Sequence, residues 1–222
     1  ARVALVKLLG DDGVEGMIDR LEAVLALVEH ARRAALPRLD EELPLRIGPL
    51  REQWEGRGPG ILTGIRRRTE DGVVPERARV IVVDPAGGGG GSAHARFNAV
   101  VLEGVLANPE PALPETVRLA WLVAQLQSDL PVYTERIEGA RAPRVVALAT
   151  LWPTLEAAAD VELLRDPAAA VARAWEFWEL AEGLPTVVPQ TLALWWQTYQ
   201  ARRSPWGVAL AALDQMLASE GA

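Results

Sequence analysis

One stretch, at about 77–106, interrupts an otherwise helical pattern and decides the fold class. Its first part, Arg79-Val80-Ile81-Val82-Val83-Asp84, is β-branched and shows no helical spacing; its last part, from Phe97 through Val100, Val101 and Leu102 to Leu106, is of the same kind. β-branched side chains lose rotamer freedom against the preceding turn of a helix and pack well on a pleated surface, so both runs predict strands. Between them lie Pro85-Ala86, five glycines at 87–91, then Ser92, Ala93 and His94. This spacing predicts two antiparallel strands joined by a long glycine-rich hairpin loop.

On either side the periodicity is helical. Met17, Ile18, Leu21, Val24, Leu25 and Val28 recur at three and four residues behind an N-capping Asp11 or Asp12, predicting an amphipathic helix to about residue 35. A short helix at 45–54 follows. Gly58-Pro59-Gly60 predicts a break, and a further helix spans 61–69, ending in Arg66-Arg67-Arg68, which reads as a solvated helix end. Beyond the three prolines at 109–114, the segment 115–128 carries Val117, Leu119, Ala120, Leu122, Val123, Ala124 and Leu126, leaving almost no polar face; such a helix is buried. Proline punctuation then divides the remainder into helices at about 144–151, 154–164, 167–181, 189–202 and 205–219. Six of the eight tryptophans fall from Trp152 onward. Trp175 and Trp178 share a helix face, whereas the adjacent Trp195 and Trp196 are not expected to face one core together.

The fold class is therefore α+β, mostly helical: a small antiparallel β-hairpin or sheet (77–106) packed against a buried central helix (115–128) and a C-terminal helical bundle. The 222 residues, half of them apolar, suffice for one compact domain over 1–222, with an N-terminal helical part at 1–72, a β element at 73–108 and a C-terminal helical part at 109–222.

Composition removes several functions. A formal net charge of -7 repels nucleic-acid phosphates and anionic membrane surfaces. No apolar run has the length to span a bilayer, and residues 1–10 do not read as a signal peptide, so neither nucleic acid nor membrane is an expected partner and a cytoplasmic location is favoured. The absence of cysteine excludes disulfides, thiol catalysis and thiolate metal sites. No His-Glu-x-x-His, Gly-x-Ser-x-Gly, phosphate-binding Gly-x-x-x-x-Gly-Lys-Ser/Thr or dinucleotide glycine pattern is present, and no metal or cofactor is expected.

The remaining place for chemistry is the glycine segment and its flanks. His94, one of two histidines, is the candidate acid–base group, with Asp84, Asn98 and Glu103 near enough in sequence to orient it. Arg118, on the apolar helix, needs a partner because a buried guanidinium is costly alone; Glu103 is the nearest candidate, either as a strut or as one wall of a polar pocket. Gln125 lies seven residues on, on the same side, with Trp121 between, so both are candidate ligand contacts. Two functions fit: a non-enzymatic interaction or structural protein whose partner is another protein or a second copy of this chain, and, as the alternative, an enzyme or small-ligand-binding protein using Asp84, His94, Glu103 and Arg118 with the glycine loop as a lid.

Overall fold

The computed structural model describes residues 11–84, 90–105, 107–178, 180 and 188–220. Its elements are α1 (Asp11–Ala35), α2 (Leu39–Arg68), β1 (Arg79–Val83), β2 (Gly91–His94), β3 (Ala99–Glu103), α3 (Glu115–Val123), α4 (Pro131–Thr134), α5 (Ala142–Ala149), α6 (Leu151–Asp160), α7 (Pro167–Phe177), α8 (Val188–Arg202) and α9 (Trp206–Glu220). The mostly helical α+β class is the one read from the sequence. The chain divides into two units, Ala1–Pro44 and Leu45–Ala222.

In the first unit, α1 closes with a local charge cluster. Arg32 donates to both carboxylate oxygens of Glu29 at 2.9 and 2.8 Å, and Arg33 Nε donates to Glu29 Oε1 at 2.8 Å. The spacing of three and four residues places these groups on one helical surface. The hydrogen bonds from Arg32, opposed by some desolvation, hold the Glu29 carboxyl down at about 2. Both arginines also lie in the last turn, where the helix dipole favours cations.

The break expected at Gly58-Pro59-Gly60 does not occur: α2 is helical through Pro44, Pro49 and Pro59 to Arg68. An interior proline costs about 3 kcal/mol by removing a backbone donor and crowding the preceding turn. In the second unit, packing offsets that cost. Ile61 and Ile65 are wholly buried, and a β-carbon on Gly60 or Gly64 would stand 2.7 Å from Val161 or 2.6 Å from Ala157. The glycines that read as breakers are the residues that let α2 approach α6 closely. Two of the three arginines at its end are engaged rather than solvated. Arg68 binds Glu156 and Asp160, and Arg66 donates to the Val74 and Pro75 carbonyls.

The sheet has the order β1-β3-β2. β3 pairs antiparallel with β2 (Gly91 opposite Leu102, His94 opposite Ala99) and parallel with β1 (Arg79 opposite Ala99, Val83 opposite Glu103). The expected antiparallel pairing of the first and last runs is therefore replaced by a parallel one. The glycine segment is not simply a loop: its end, Gly91-Ser92-Ala93-His94, is a strand, and a 3₁₀ turn at Ala95–Phe97 with Asn98 at φ 46° reverses it into β3. With β2 as the antiparallel neighbour of β3, β1 can join only at the other edge. Gly91 is required there, because a β-carbon would lie 2.7 Å from Leu122 and 2.9 Å from the Val101 carbonyl. Residues 85–89, the body of the expected hairpin loop and lid, lie outside the described residues.

Helix α3 packs against β2, β3 and α6, and all nine of its residues are buried. It is shorter than the apolar pattern suggests: after Val123 the chain tightens into turns with i to i+3 bonds from Gln125 and Leu126. Around it, α7 starts as its sequence predicts, with the Asp166 carboxylate accepting from the Ala168 and Ala169 amides. Against expectation, Trp195 and Trp196 are both core residues. Helix α8 is covered on more than one side, so Trp195 donates to the Ala209 carbonyl on α9 while Trp196 donates to Glu156 on α6, each at 2.8 Å. Tyr199 and Trp206 complete the cluster, Tyr199 lying 6.0 and 5.5 Å from the two rings and 5.1 Å from Trp206.

Gly64 gives a direct check on the α2–α6 contact. A helix interior ordinarily gains up to ~1 kcal/mol when glycine becomes alanine. Here the methyl would collide with Ala157, and Gly64→Ala is expected to lower stability by about 1–2 kcal/mol in urea unfolding; a stabilised variant would contradict the close packing.

Candidate functional site

Between the end of β3 and the start of α3 lies a cleft of about 120 Å³ whose polar lining includes Arg46, Gln53, Glu103, Asn108 and Glu115. Glu103 is the last residue of β3, and Glu115 is the first of α3. Pro114, which precedes Glu115, supplies no side-chain cap; instead the Asn108 side chain reaches across the connecting loop and its Oδ1 accepts from the Glu115 backbone amide at 3.0 Å.

Glu115 is the unusual group of this cleft. It is only 4 % exposed, its Oε2 accepts no hydrogen bond from any described residue, and its nearest cation, Arg118 Nε, stands 3.6 Å away. Burial raises its carboxyl above the ordinary value of 4.5; Arg118 opposes the rise and the nearby Glu103 carboxylate adds to it. Arg118 is held from its other side by the Phe177 carbonyl at 3.2 Å, with its guanidinium 5.6 Å from the Trp178 ring centre. Trp178 in turn stacks on Trp121 at 4.9 Å. At the rim, Arg46 is ion-paired with Asp84. A buried carboxylate whose Oε2 accepts no hydrogen bond from a described residue, in a cleft that Glu103 also lines, can receive a small cationic or hydrogen-bond-donating group.

The residues singled out from sequence thus separate. Glu103 lines the cleft, whereas Asp84 pairs with its Arg46 and Arg118 stands 3.6 Å from its Glu115. His94 lies at the opposite end of β2 from Gly91 and bonds Ser92 Oγ through its Nε2 at 3.0 Å. Asn98 donates to the Arg77 carbonyl at 2.6 Å and forms the turn before β3. Trp121 donates to the Ala147 carbonyl, and Gln125 donates to the Trp121 carbonyl. The sequence patterns single out none of Glu115, Arg46 and Asn108. The available signal was a glutamate opening a helix that has no polar face on which to place it.

A second feature lies in the first unit. On α1 the side chains of Leu21, Val24, Leu25, Leu27 and Val28 are between 53 and 70 % exposed, and Met17 is exposed as well. Their spacing is that of a buried helix face, yet they stand in solvent. Folded chains rarely leave a large contiguous apolar surface uncovered unless something binds it.

Among the described residues no group of three or more His, Asp or Glu could hold a metal ion, and no helix is long and apolar enough to cross a membrane. Comparison with family models, with curated proteins and with solved structures gives no match.

The raised Glu115 carboxyl has a consequence for pH dependence. The folded state holds this proton more tightly than the unfolded chain, so the group's contribution is fully present below about pH 4.5 and is lost as pH rises through the raised folded value. In paired unfolding curves from pH 4 upward, the native protein is expected to lose stability relative to Glu115→Gln as the pH rises. Parallel pH profiles for the two proteins would show that Glu115 titrates normally.

Proposed function

We propose that this chain is a protein–protein interaction module and that the apolar face of α1 is its docking element. The observation that carries the reading is the exposure of Leu21, Val24, Leu25, Leu27 and Val28 on a regular helix. Burying one such side chain is worth about 1.5–3 kcal/mol, so this face holds binding energy that the chain leaves unused. The scarcity of catalytic groups agrees with it: there is no cysteine, there are two histidines, and His94 lies away from the carboxylate cleft. The large buried tryptophan cluster is core and is not available as a ligand cage.

The experiment separates docking face from core. In Leu21→Glu combined with Val28→Glu, compared with the native chain at a protein concentration where the native chain is monomeric, a solvent-facing stripe accepts both charges, so the melting temperature and the near-ultraviolet signal of the tryptophans are expected to stay within the small range usual for surface substitutions. A marked fall in melting temperature would identify the stripe as core and end this reading.

A second reading is supported by the buried Glu115 beside Glu103: binding of a small cationic ligand in the cleft. It predicts that a thermal-shift panel of amines, guanidines, nucleotides and small acids gives a dose-dependent rise for cationic members only, and that Glu103→Gln removes the rise. A flat response across the panel counts against the cleft as a ligand site.

A further inference from the structure

We propose that the partner seated on α1 is a second copy of the same chain, running antiparallel to the first. This rests on the reading of α1 as an interaction surface and names its occupant.

Three properties of the helix lead to that occupant. Met17, Leu21, Val24, Val28 and Ala31 are spaced alternately by four and three residues, the seam that two helices use to interlock. Outside this seam the apolar surface is not uniform. It is widest in the middle, where Leu25 and Leu27 flank Val24 and Val28 on the two shoulders, and all four are strongly exposed. A two-fold axis near residue 26 lays that broad middle on the same surface of the other copy, so the interface is self-complementary, as a two-fold dimer requires.

Charge then selects the direction. Glu15, Asp19 and Glu22 make the first half of the seam's surroundings acidic, with Arg20 the exception. Arg32 and Arg33 make the second half basic, with Glu29 the exception. Parallel copies would align acid with acid and base with base along the whole contact. Antiparallel copies set the acidic half of each helix beside the basic half of the other. Complementary potentials of this kind fix orientation and suppress the wrong register more than they add affinity. Arg32 and Arg33 share the Glu29 carboxylate on α1, so with these internal pairs in place this half of the helix still carries one more cation than anion.

The chain has no native cysteine, so one introduced thiol carries one label. Gly16 and Ala23 are seven residues apart and occupy equivalent positions around the helix; a side chain at Gly16 meets no atom within 4 Å. The full-length variants Gly16→Cys and Ala23→Cys, each spin-labelled, are compared by sedimentation and by electron–electron distance measurement. A rise of 1.5 Å per residue about a centre near residue 26 predicts label pairs separated along the axis by roughly 30 Å at position 16 and roughly 9 Å at position 23. A parallel dimer gives the same short distance at both, set by an interhelical spacing of about 8–10 Å. The expected result is a concentration-dependent dimer with one long and one short distance, abolished by Leu25→Glu. Two equal short distances overturn the antiparallel arrangement. A chain that remains monomeric at high micromolar concentration overturns self-association. That second failure is distinct from failure of the interaction reading: if the double glutamate variant keeps its melting temperature while the native chain stays monomeric, α1 is a free surface for a different protein, whereas a fall in melting temperature makes it core.

Discussion

A helix with almost no polar face can exist in water only if every side of it is covered, and the organisation of residues 45–222 follows from covering α3. The sheet takes one side through β2 and β3, α6 takes another, and Trp178 closes over Trp121. The close contacts around it depend on small residues. Gly91 lets β2 lie against Leu122, and Gly60 and Gly64 let α2 settle against Val161 and Ala157. The prolines of α2 are tolerated because the helix is held from outside by Ile61 and Ile65 rather than by its own propensity.

The same constraint creates the polar anomaly of the protein. Once α3 is enclosed, Glu115 and Arg118 are enclosed with it, and an ion pair at 3.6 Å only partly repays the loss of hydration. Asn108, the Phe177 carbonyl and the face of Trp178 are the compensations visible around it. The cleft beside Glu103 is where that compensation is incomplete on the carboxylate side. The chemistry of this region thus arises from the burial of one helix, and it lies one strand length from the histidine that sequence reasoning favoured.

Much of the fold was legible in the sequence, for identifiable reasons. The amphipathic spacing of α1, the all-apolar α3, the capping Asp166 before Pro167 and the β-branched run of β1 are local signals, and each element appears where its signal lies. The failures are places where a distant contact overruled a local preference. Gly58-Pro59-Gly60 reads as a break, but Ile61, Ile65 and the contact with Ala157 keep α2 continuous. Gly91 to His94 reads as loop, but their backbone is claimed by β3. Trp195 and Trp196 point in different directions, and each finds core because α8 is enclosed by more than one neighbour. Of the candidate site, Glu103 was legible and lines the cleft, Asp84 and Arg118 reach it only as partners of Arg46 and Glu115, and those two acquire their places only from what is folded around them.

The parallel pairing of β1 with β3 carries a kinetic consequence. A hairpin zips from its turn, but β1 cannot find β3 that way, because β2 and its reversal at Asn98 intervene. Joining them means closing a loop on the order of twenty residues with no intermediate ladder bond to reward the closure, the type of contact that slows folding. The β2–β3 hairpin is the local pairing of this sheet, whereas β1 depends on the non-local one, at an open edge. Until it pairs, Arg79-Val80-Ile81-Val82-Val83 is an unpaired, β-prone, largely uncharged segment, and even in the finished fold Val80 and Ile81 remain exposed on it. The step that completes the sheet is also the step at which the nascent chain is most open to pairing with another molecule.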